Sequence, residues 1–183
     1  MNVIDRDQPK AAGRFSRDPE KSYTLPAHYY FDSAIFEREK TDIFHRSWNF
    51  GCHAGQVAEA GSYVTVRVAD QNIVILRGQD GTLRAFHNVC SHRAHELLRG
   101  CGKAKLITCP YHAWTYHTDG RLRSAVGQKN VADFHAEEFA LKPVQVECLA
   151  GFVFVNLDAS APSLASQAGN LPTEVFKACP EID

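Results

Sequence analysis

Two short segments, each with one cysteine and one histidine, constrain this 183-residue sequence more than any other feature. The first is Cys90-x-His92, and after sixteen intervening residues the second is Cys109-x-x-His112. In an extended loop the side chains of residues i and i+2 leave on the same face, so Cys90 and His92 lie side by side. Two thiolates and two imidazoles are the ligands of a [2Fe–2S] cluster that has cysteines on one iron and histidines on the other. The sequence therefore predicts this cluster, bound by Cys90, His92, Cys109 and His112.

A single zinc ion is the main alternative for these ligands, and a chance pairing is the other. Structural zinc sites usually take their cysteine pairs at a spacing of two to four residues, and Cys90-x-His92 is tight for that geometry. The mixed ligand set also has a chemical consequence, because it leaves the oxidised cluster neutral. Such clusters have reduction potentials of about −150 to +300 mV, against about −400 mV for plant-type ferredoxins. The motif thus favours a one-electron carrier.

Several stretches around the ligands carry a resemblance to a known family: residues 90–93, residues 109–114 with Tyr116, the turn 119–120, and residues 151–156. Together, residues 48 to 157 resemble the N-terminal Rieske domain of the α-subunit of Rieske non-haem iron oxygenases. Residues 102–105 and 178–181 are most similar to the branch that oxidises quaternary ammonium compounds, namely carnitine, choline and glycine betaine monooxygenases. The resemblance implies a mostly β fold of small antiparallel sheets with a cluster-binding subdomain, plus N-terminal and C-terminal helical extensions.

The same resemblance implies a function. Members of the family receive electrons from a flavin and iron–sulfur reductase and pass them to a mononuclear non-haem Fe(II), and the full-length enzymes are homotrimers. In the family the second-loop histidine, here His112, contacts a carboxylate of a neighbouring subunit.

The family's mononuclear iron motif, an acidic residue or asparagine followed by two histidines, is not found in these 183 residues. His112 and His117 have the spacing of its two histidines, but His112 is already a predicted cluster ligand and Cys109 stands where the acidic residue is required. We therefore expect no catalytic residue here. A stand-alone Rieske ferredoxin is the alternative function.

The sequence departs from the family pattern close to the ligands. Ser91 stands where proline is common, and Ala94 and Ala113 stand where glycine is usual. If position 94 adopts a positive φ, its alanine is strained. Trp114 takes the place of a serine that donates to the cluster in cytochrome bc-type Rieske proteins, so we expect a low potential within the Rieske range. Because Trp114 directly follows the second ligand segment, we also expect it to cover the cluster, with plain core packing as the alternative.

The composition excludes some partners. With 20 Lys and Arg against 21 Asp and Glu, the net charge of −1 gives no general affinity for nucleic acid or for an anionic membrane. There is no apolar run long enough to span a membrane and no apolar N-terminal signal, so we expect a cytoplasmic protein. The four cysteines outside the motif are predicted to be reduced and buried: Cys52, Cys101, Cys148 and Cys179.

The pattern of residues predicts three parts. Residues 1–46 form an irregular arm and a helix that Asp32 or Ser33 caps, residues 47–158 form the Rieske domain, and residues 159–183 form a linker and the start of a truncated catalytic domain. Within the second part, alternating apolar residues and turn residues predict strands. They are expected at 64–68, 72–77, 82–88, 105–108, 113–117, 121–124, 142–149 and 152–157. A last amphipathic helix is expected at 171–179.

Overall fold

Ten strands form two antiparallel sheets in the computed structural model, which describes residues 16–22 and 24–182. The strands are β1 (Asn49–His53), β2 (Ser62–Val68), β3 (Gln71–Arg77), β4 (Leu83–His87), β5 (Cys101–Lys103), β6 (Ile107–Thr108), β7 (Thr115–Tyr116), β8 (Leu122–Ser124), β9 (Pro143–Leu149) and β10 (Phe152–Asn156). The larger sheet has the order β1-β10-β9-β4-β3-β2-β5, and the smaller sheet has the order β6-β7-β8. The predicted mostly β, antiparallel fold is confirmed.

Strand β3 lies between two apolar cores, and both of its faces are buried. Ile73 and Ile75 belong to one apolar core, together with side chains of β1 and β10. Val74 and Leu76 point to the opposite face and join a second core, which includes residues of β4, of the small sheet and of the ligand segments. Alternate residues of a strand point to opposite faces, so a run of apolar residues is what a strand between two cores requires. The second core is the one that positions the candidate site.

The N-terminal helix differs from its prediction at the C-terminal end. Helix α1 (Ser33–Glu39) begins after Asp32, whose Oδ1 accepts a hydrogen bond from the Ala34 N–H at 2.8 Å, as the capping pattern predicts. A wider π turn then follows over Lys40–Phe44, so the α-helix ends well before the limit of the predicted N-terminal part at residue 46. Asp70 in the β2–β3 turn explains the difference, because Lys40 Nζ and His45 Nε2 lie 3.7 and 3.0 Å from its carboxylate. The widened turn brings both side chains to this one anion.

The C-terminal segment contains one helix that was expected and one that was not. Helix α3 is the expected one, at Leu171–Ala178. In the segment predicted as a linker, α2 spans Leu164–Ala168, with Leu164 buried against the sheet. The Trp48 indole N–H also donates to the Pro162 carbonyl at 3.0 Å, which attaches this segment to the start of β1. The composition is that of a linker, but one buried leucine and one hydrogen bond hold the segment in place. The limits of the three parts stay a prediction.

All six cysteines are free in the structure, and three of the four outside the motif are not buried. Cys52 is buried, and burial raises its pKa to about 11. The prediction of buried thiols was wrong for Cys101, Cys148 and Cys179, which are exposed. Cys101 lies on the short edge strand β5, which has no alternating pattern and was not predicted.

Within residues 16–22 and 24–182 no helix is long and apolar enough to cross a membrane. The cytoplasmic location stays a prediction. Much of the expected irregular arm, residues 1–15 and 23, lies outside the described residues. The described part of the arm contains two short 3₁₀ helices, Pro19–Lys21 and Ala27–Tyr30.

Candidate metal centre

Two hairpin loops bring the four predicted ligands together. The first loop, residues 90–95, follows β4 and is closed at its base by the bridge between Val89 and Glu96. The second loop, residues 109–114, joins β6 to β7 and is closed at its base by the pair Thr108 and Thr115. Each loop therefore begins with its cysteine directly after a paired residue. This placement fixes the position of the thiol through the strand that precedes it.

The two loops close with the same pair of backbone hydrogen bonds. In the first, Cys90 N–H donates to the His95 carbonyl at 2.8 Å, and Ala94 N–H donates to the Cys90 carbonyl at 2.9 Å. In the second, the corresponding bonds from Cys109 to Trp114 and from Ala113 to Cys109 measure 2.7 and 3.0 Å. The loops are thus copies of one backbone motif, although the histidine is the second residue after the cysteine in one and the third in the other. The shared Cys-x-x-x-Ala spacing was visible in the sequence but was not used.

The alanine that ends each turn has left-handed backbone angles, with φ of 53° at Ala94 and 57° at Ala113. The strain expected at position 94 is therefore present, and the second loop has it too. A non-glycine residue in this region costs about 1–2 kcal/mol, whereas glycine adopts it freely. Each ligand loop therefore has a strained alanine close to a predicted ligand. Ala113 directly follows His112, and Ala94 lies two residues after His92.

Replacing either alanine by glycine should stabilise the protein. For Ala94→Gly and Ala113→Gly we expect the free energy of unfolding to rise by about 0.5–1 kcal/mol each, because the relieved strain exceeds the added entropy of the unfolded chain. The same substitution in helix α2, Ala165→Gly, should lower it by about 1 kcal/mol. Urea denaturation followed by circular dichroism measures all three. A loss of stability in the two loop variants would contradict the strain argument.

The thiols and the imidazoles occupy different sides of the site. Cys90 and Cys109 are 2% and 3% exposed and belong to the second core. The rings of His92 and His112 are only partly buried, and their centroids lie 4.8 Å apart at an angle of 68°. Burial is the main cause that raises the pKa of Cys90, and the neighbouring Cys109 thiol raises it further. The arrangement therefore has a buried sulfur side and an imidazole side that faces outwards.

His112 carries the clearest sign that a ligand belongs here. Its Nδ1 atom is buried and has no hydrogen-bond partner among the described residues. A buried polar atom without a partner costs about 1–3 kcal/mol, so it is normally satisfied by a ligand when protein groups do not satisfy it. Burial lowers the pKa of His112, and nearby His92, Arg93 and His95 lower it further. The neutral imidazole is the form that binds a metal.

Tyr116 connects the second loop to the first. It lies in β7, is fully buried, and its hydroxyl is 3.2 Å from Cys90 Sγ and 3.1 Å from the Ser91 backbone nitrogen. Burial raises the pKa of Tyr116, and contact with Cys90 raises it further, so the hydroxyl keeps its proton. A residue of the second loop's strand thus contacts the first loop at the predicted ligand itself. Tyr116 was part of the sequence resemblance, but this contact was not foreseen.

Trp114 covers one face of the site. Its ring stacks on His92 with a centroid distance of 4.9 Å and an angle of 8°. Phe134 and Phe139 pack edge-on against the tryptophan at 6.0 and 5.4 Å. The tryptophan is 7% exposed, so it separates the His92 ring from water on this side.

Asn88 is a buried residue that the sequence analysis missed. Its side chain accepts from Leu98 N–H at 3.0 Å and donates to the Leu98 carbonyl at 2.7 Å. These bonds hold the chain that leaves the first loop against the chain that enters it. The available signal was an asparagine two residues before a predicted ligand, at the end of a predicted strand.

A cleft of about 780 Å³ opens beside the first loop, and its lining includes His92, Arg93, Glu138 and Lys142. In the part of the chain that the structure describes, no three Cys, His, Asp or Glu side chains are grouped to hold a single metal ion. A [2Fe–2S] cluster spreads its ligands over two irons, with two ligands each. The four residues fit that group by donor type and arrangement, and their role as ligands stays a prediction.

Known proteins resemble this chain in sequence and in fold. Residues 47–135 match the family model of the Rieske [2Fe-2S] domain. This chain therefore contains a Rieske domain. It is similar to the carnitine monooxygenase oxygenase subunit of Escherichia coli K12, with 46% identity over 169 residues, 92% of this chain and 45% of that protein. It is 36% identical over 156 residues to the glycine betaine monooxygenase oxygenase subunit of Pseudomonas aeruginosa PAO1, which covers 85% of this chain and 36% of that protein.

Solved structures extend the likeness to the fold. A quaternary ammonium Rieske monooxygenase in complex with L-carnitine matches with a TM-score of 0.84 and 44% identity, over 88% of this chain and 46% of that one. Naphthalene 1,2-dioxygenase from Rhodococcus sp. matches with a TM-score of 0.79 and 28% identity, over 85% of this chain and 36% of that one. The chain spans less than half the length of these relatives.

Proposed function

We propose that this chain is the electron-relay domain of a Rieske oxygenase component. Cys90 and Cys109 hold one iron of a [2Fe–2S] cluster, and His92 and His112 hold the other. The observation that carries the proposal is the buried, partnerless Nδ1 of His112, in a site that also gathers two buried thiols and a second imidazole. When bound, such a cluster accepts one electron and gives it up again.

The protein positions the cysteines, shields one face of the site from water and leaves the imidazole side accessible. The copied loop turns fix both cysteines, and Trp114 with its two phenylalanines keeps water from one face of His92. The outward imidazole side is the side on which an electron can enter or leave at short range. The cleft that includes Arg93 and Lys142 gives a reductase a place to approach the first loop. The second-loop histidine, His112, is the proposed exit towards a mononuclear iron held by a neighbouring copy.

The substrate class of the whole protein follows from its relatives. Carnitine monooxygenase and glycine betaine monooxygenase oxygenase subunits are 46% and 36% identical to this chain. We extend their quaternary ammonium substrates to the whole protein to which this domain belongs. We also propose the electron donor and the assembly that the sequence resemblance implies, namely a flavin and iron–sulfur reductase and a homotrimer.

Removing the tryptophan cover should expose the cluster. For Trp114→Ala we expect the cluster to bleach several-fold faster in air and its reduction potential to shift, because water reaches the His92 side. Phe50→Ala is a matched control, since Phe50 is an aromatic on β1 that is 60% exposed and outside the second core. Visible absorbance against time and a redox titration measure both effects. An unchanged lifetime and potential in Trp114→Ala would mean that the ring serves core packing alone.

The proposed function is tested by separating electron uptake from turnover. The 183-residue chain is loaded with cluster and mixed anaerobically with NADH and a flavin and iron–sulfur reductase, and reduction is followed by bleaching of the visible spectrum. We expect reduction in which NADH supplies the electrons. After L-carnitine or glycine betaine and O₂ are added, we expect no demethylated or hydroxylated product. Product formation coupled to NADH loss would contradict the assignment of these residues to the relay alone, and a chain that the reductase cannot reduce would contradict the relay itself.

A further inference from the structure

The Tyr116 hydroxyl has two partners in the first loop, and only one of them is a predicted ligand. It lies 3.2 Å from Cys90 Sγ and 3.1 Å from the Ser91 backbone nitrogen. The backbone N–H of Ser91 can only donate, so the phenol oxygen accepts from it. A cysteine sulfur bound to iron is a thiolate and can only accept, so the phenol proton points to the sulfur. The direction of both hydrogen bonds is therefore fixed once iron is bound.

The second loop has no counterpart of the hydrogen bond that the Ser91 N–H donates. Pro110 follows Cys109 just as Ser91 follows Cys90, in a turn closed by the same two backbone hydrogen bonds. Proline has no N–H, so the second loop has no donor at this position. The structure therefore places a proline and a serine at equivalent points of two copied turns. The comparison also indicates that a turn closed by these two hydrogen bonds accepts proline at this point.

We propose that Ser91 is a positioning residue whose backbone N–H holds the Tyr116 hydroxyl on Cys90 Sγ, and that this raises the reduction potential of the cluster. The inference rests on the cluster ligation proposed above. Reduction adds negative charge that the cysteine sulfur shares, and a donor to that sulfur stabilises the reduced state. Hydrogen bonds in a chain strengthen one another, by about 10–30% per bond, so the Ser91 N–H makes the phenol a better donor. The Ser91 side chain has no part in this chain of bonds, since among the described residues its hydroxyl donates to the Ala140 carbonyl, at 3.4 Å.

Four variants test the chain of bonds: Ser91→Pro, Ser91→Ala, Tyr116→Phe and the double variant Ser91→Pro/Tyr116→Phe. All are loaded with cluster, and their midpoint potentials are measured by redox titration with electron paramagnetic resonance. Tyr116→Phe should have a lower potential than the wild type, because it loses the donor. Ser91→Pro should shift the potential in the same direction by less, and Ser91→Ala, which keeps the N–H, should match the wild type. The double variant should match Tyr116→Phe, because the serine acts only through the tyrosine.

Hydrogen exchange gives a second measurement that does not depend on the proline variant. In cluster-loaded protein the Ser91 amide should exchange more slowly in the wild type than in Tyr116→Phe, since the latter removes its acceptor. Equal exchange in the two proteins would contradict the proposal. So would equal potentials in wild type and Ser91→Pro, or a further drop in the double variant. A wild-type chain that holds no cluster would contradict the proposed function instead, which keeps the two failures distinct.

Discussion

Replacing Cys109 by alanine should abolish the iron–sulfur cluster. The thiol is 3% exposed, lies beside Cys90 in the second core, and has no other cysteine near it in the second loop. Without it one iron keeps a single thiolate from the protein, and metal sites that lose a ligand lose most of their affinity. We therefore expect iron and sulfide contents close to zero and no visible absorption in Cys109→Ala. Chemical iron and sulfide analysis of anaerobically purified protein measures this.

A second cysteine provides the control for this experiment. Cys101 lies between the two loops in sequence, but it is exposed on the edge strand β5. Cys101→Ala should keep the full cluster content and the same spectrum. If both variants lose the cluster, thiol chemistry in general rather than a ligand role would explain the result. If Cys109→Ala keeps its cluster, the proposed ligand set is wrong.

Replacing Gly120 by alanine should destabilise the fold strongly. Gly120 has a φ of 89°, and a methyl group added there would lie 2.6 Å from Cε1 of Phe86. Phe86 is 4% exposed within the second core, so its ring has little room to move. The left-handed backbone costs about 1–2 kcal/mol and the overpacking about 1–3 kcal/mol. We expect Gly120→Ala to lower the free energy of unfolding by about 2–5 kcal/mol.

Gly100 is the control that separates the cost of the left-handed backbone from the cost of overpacking. Its φ is 63°, but an added methyl group would meet nothing within 4 Å. Gly100→Ala should therefore cost only the backbone share, about 1–2 kcal/mol. Urea denaturation of the wild type and both variants in the same cluster-loaded state gives the comparison. Equal losses at the two positions would show that the Phe86 ring moves aside freely.

Much of the fold was predictable because its strands carry their own signals. The meander β2 to β4 alternates or is bounded by turn residues, and the hairpin that follows the second loop turns at Gly120, as expected. Strand β5 could not be found, since it has no apolar pattern and exists only because it pairs with the edge of β2. Helix α2 was missed for a related reason, as one buried leucine in a small and polar segment gives no periodicity.

The four candidate ligands were predictable because the motif is local, whereas their surroundings were not. Each ligand pair lies within four residues, so spacing alone indicates it. The contact between Tyr116 and Cys90 joins residues 26 positions apart, and the contact between Trp114 and His92 also depends on how the two loops face each other. The strain at Ala113 and the partnerless Nδ1 of His112 are likewise properties of the folded loops. Predicting such features requires the register of the small sheet, and the sequence pattern does not determine that register.

The central claim is that these two loops bind one [2Fe–2S] cluster, and metal analysis tests it most directly. The chain is purified anaerobically, and iron, zinc and acid-labile sulfide are quantified per chain. Ligation of the Rieske type predicts two irons, two sulfides and a red-brown visible spectrum, with no stoichiometric zinc. One zinc per chain with no sulfide and no visible absorption would contradict it.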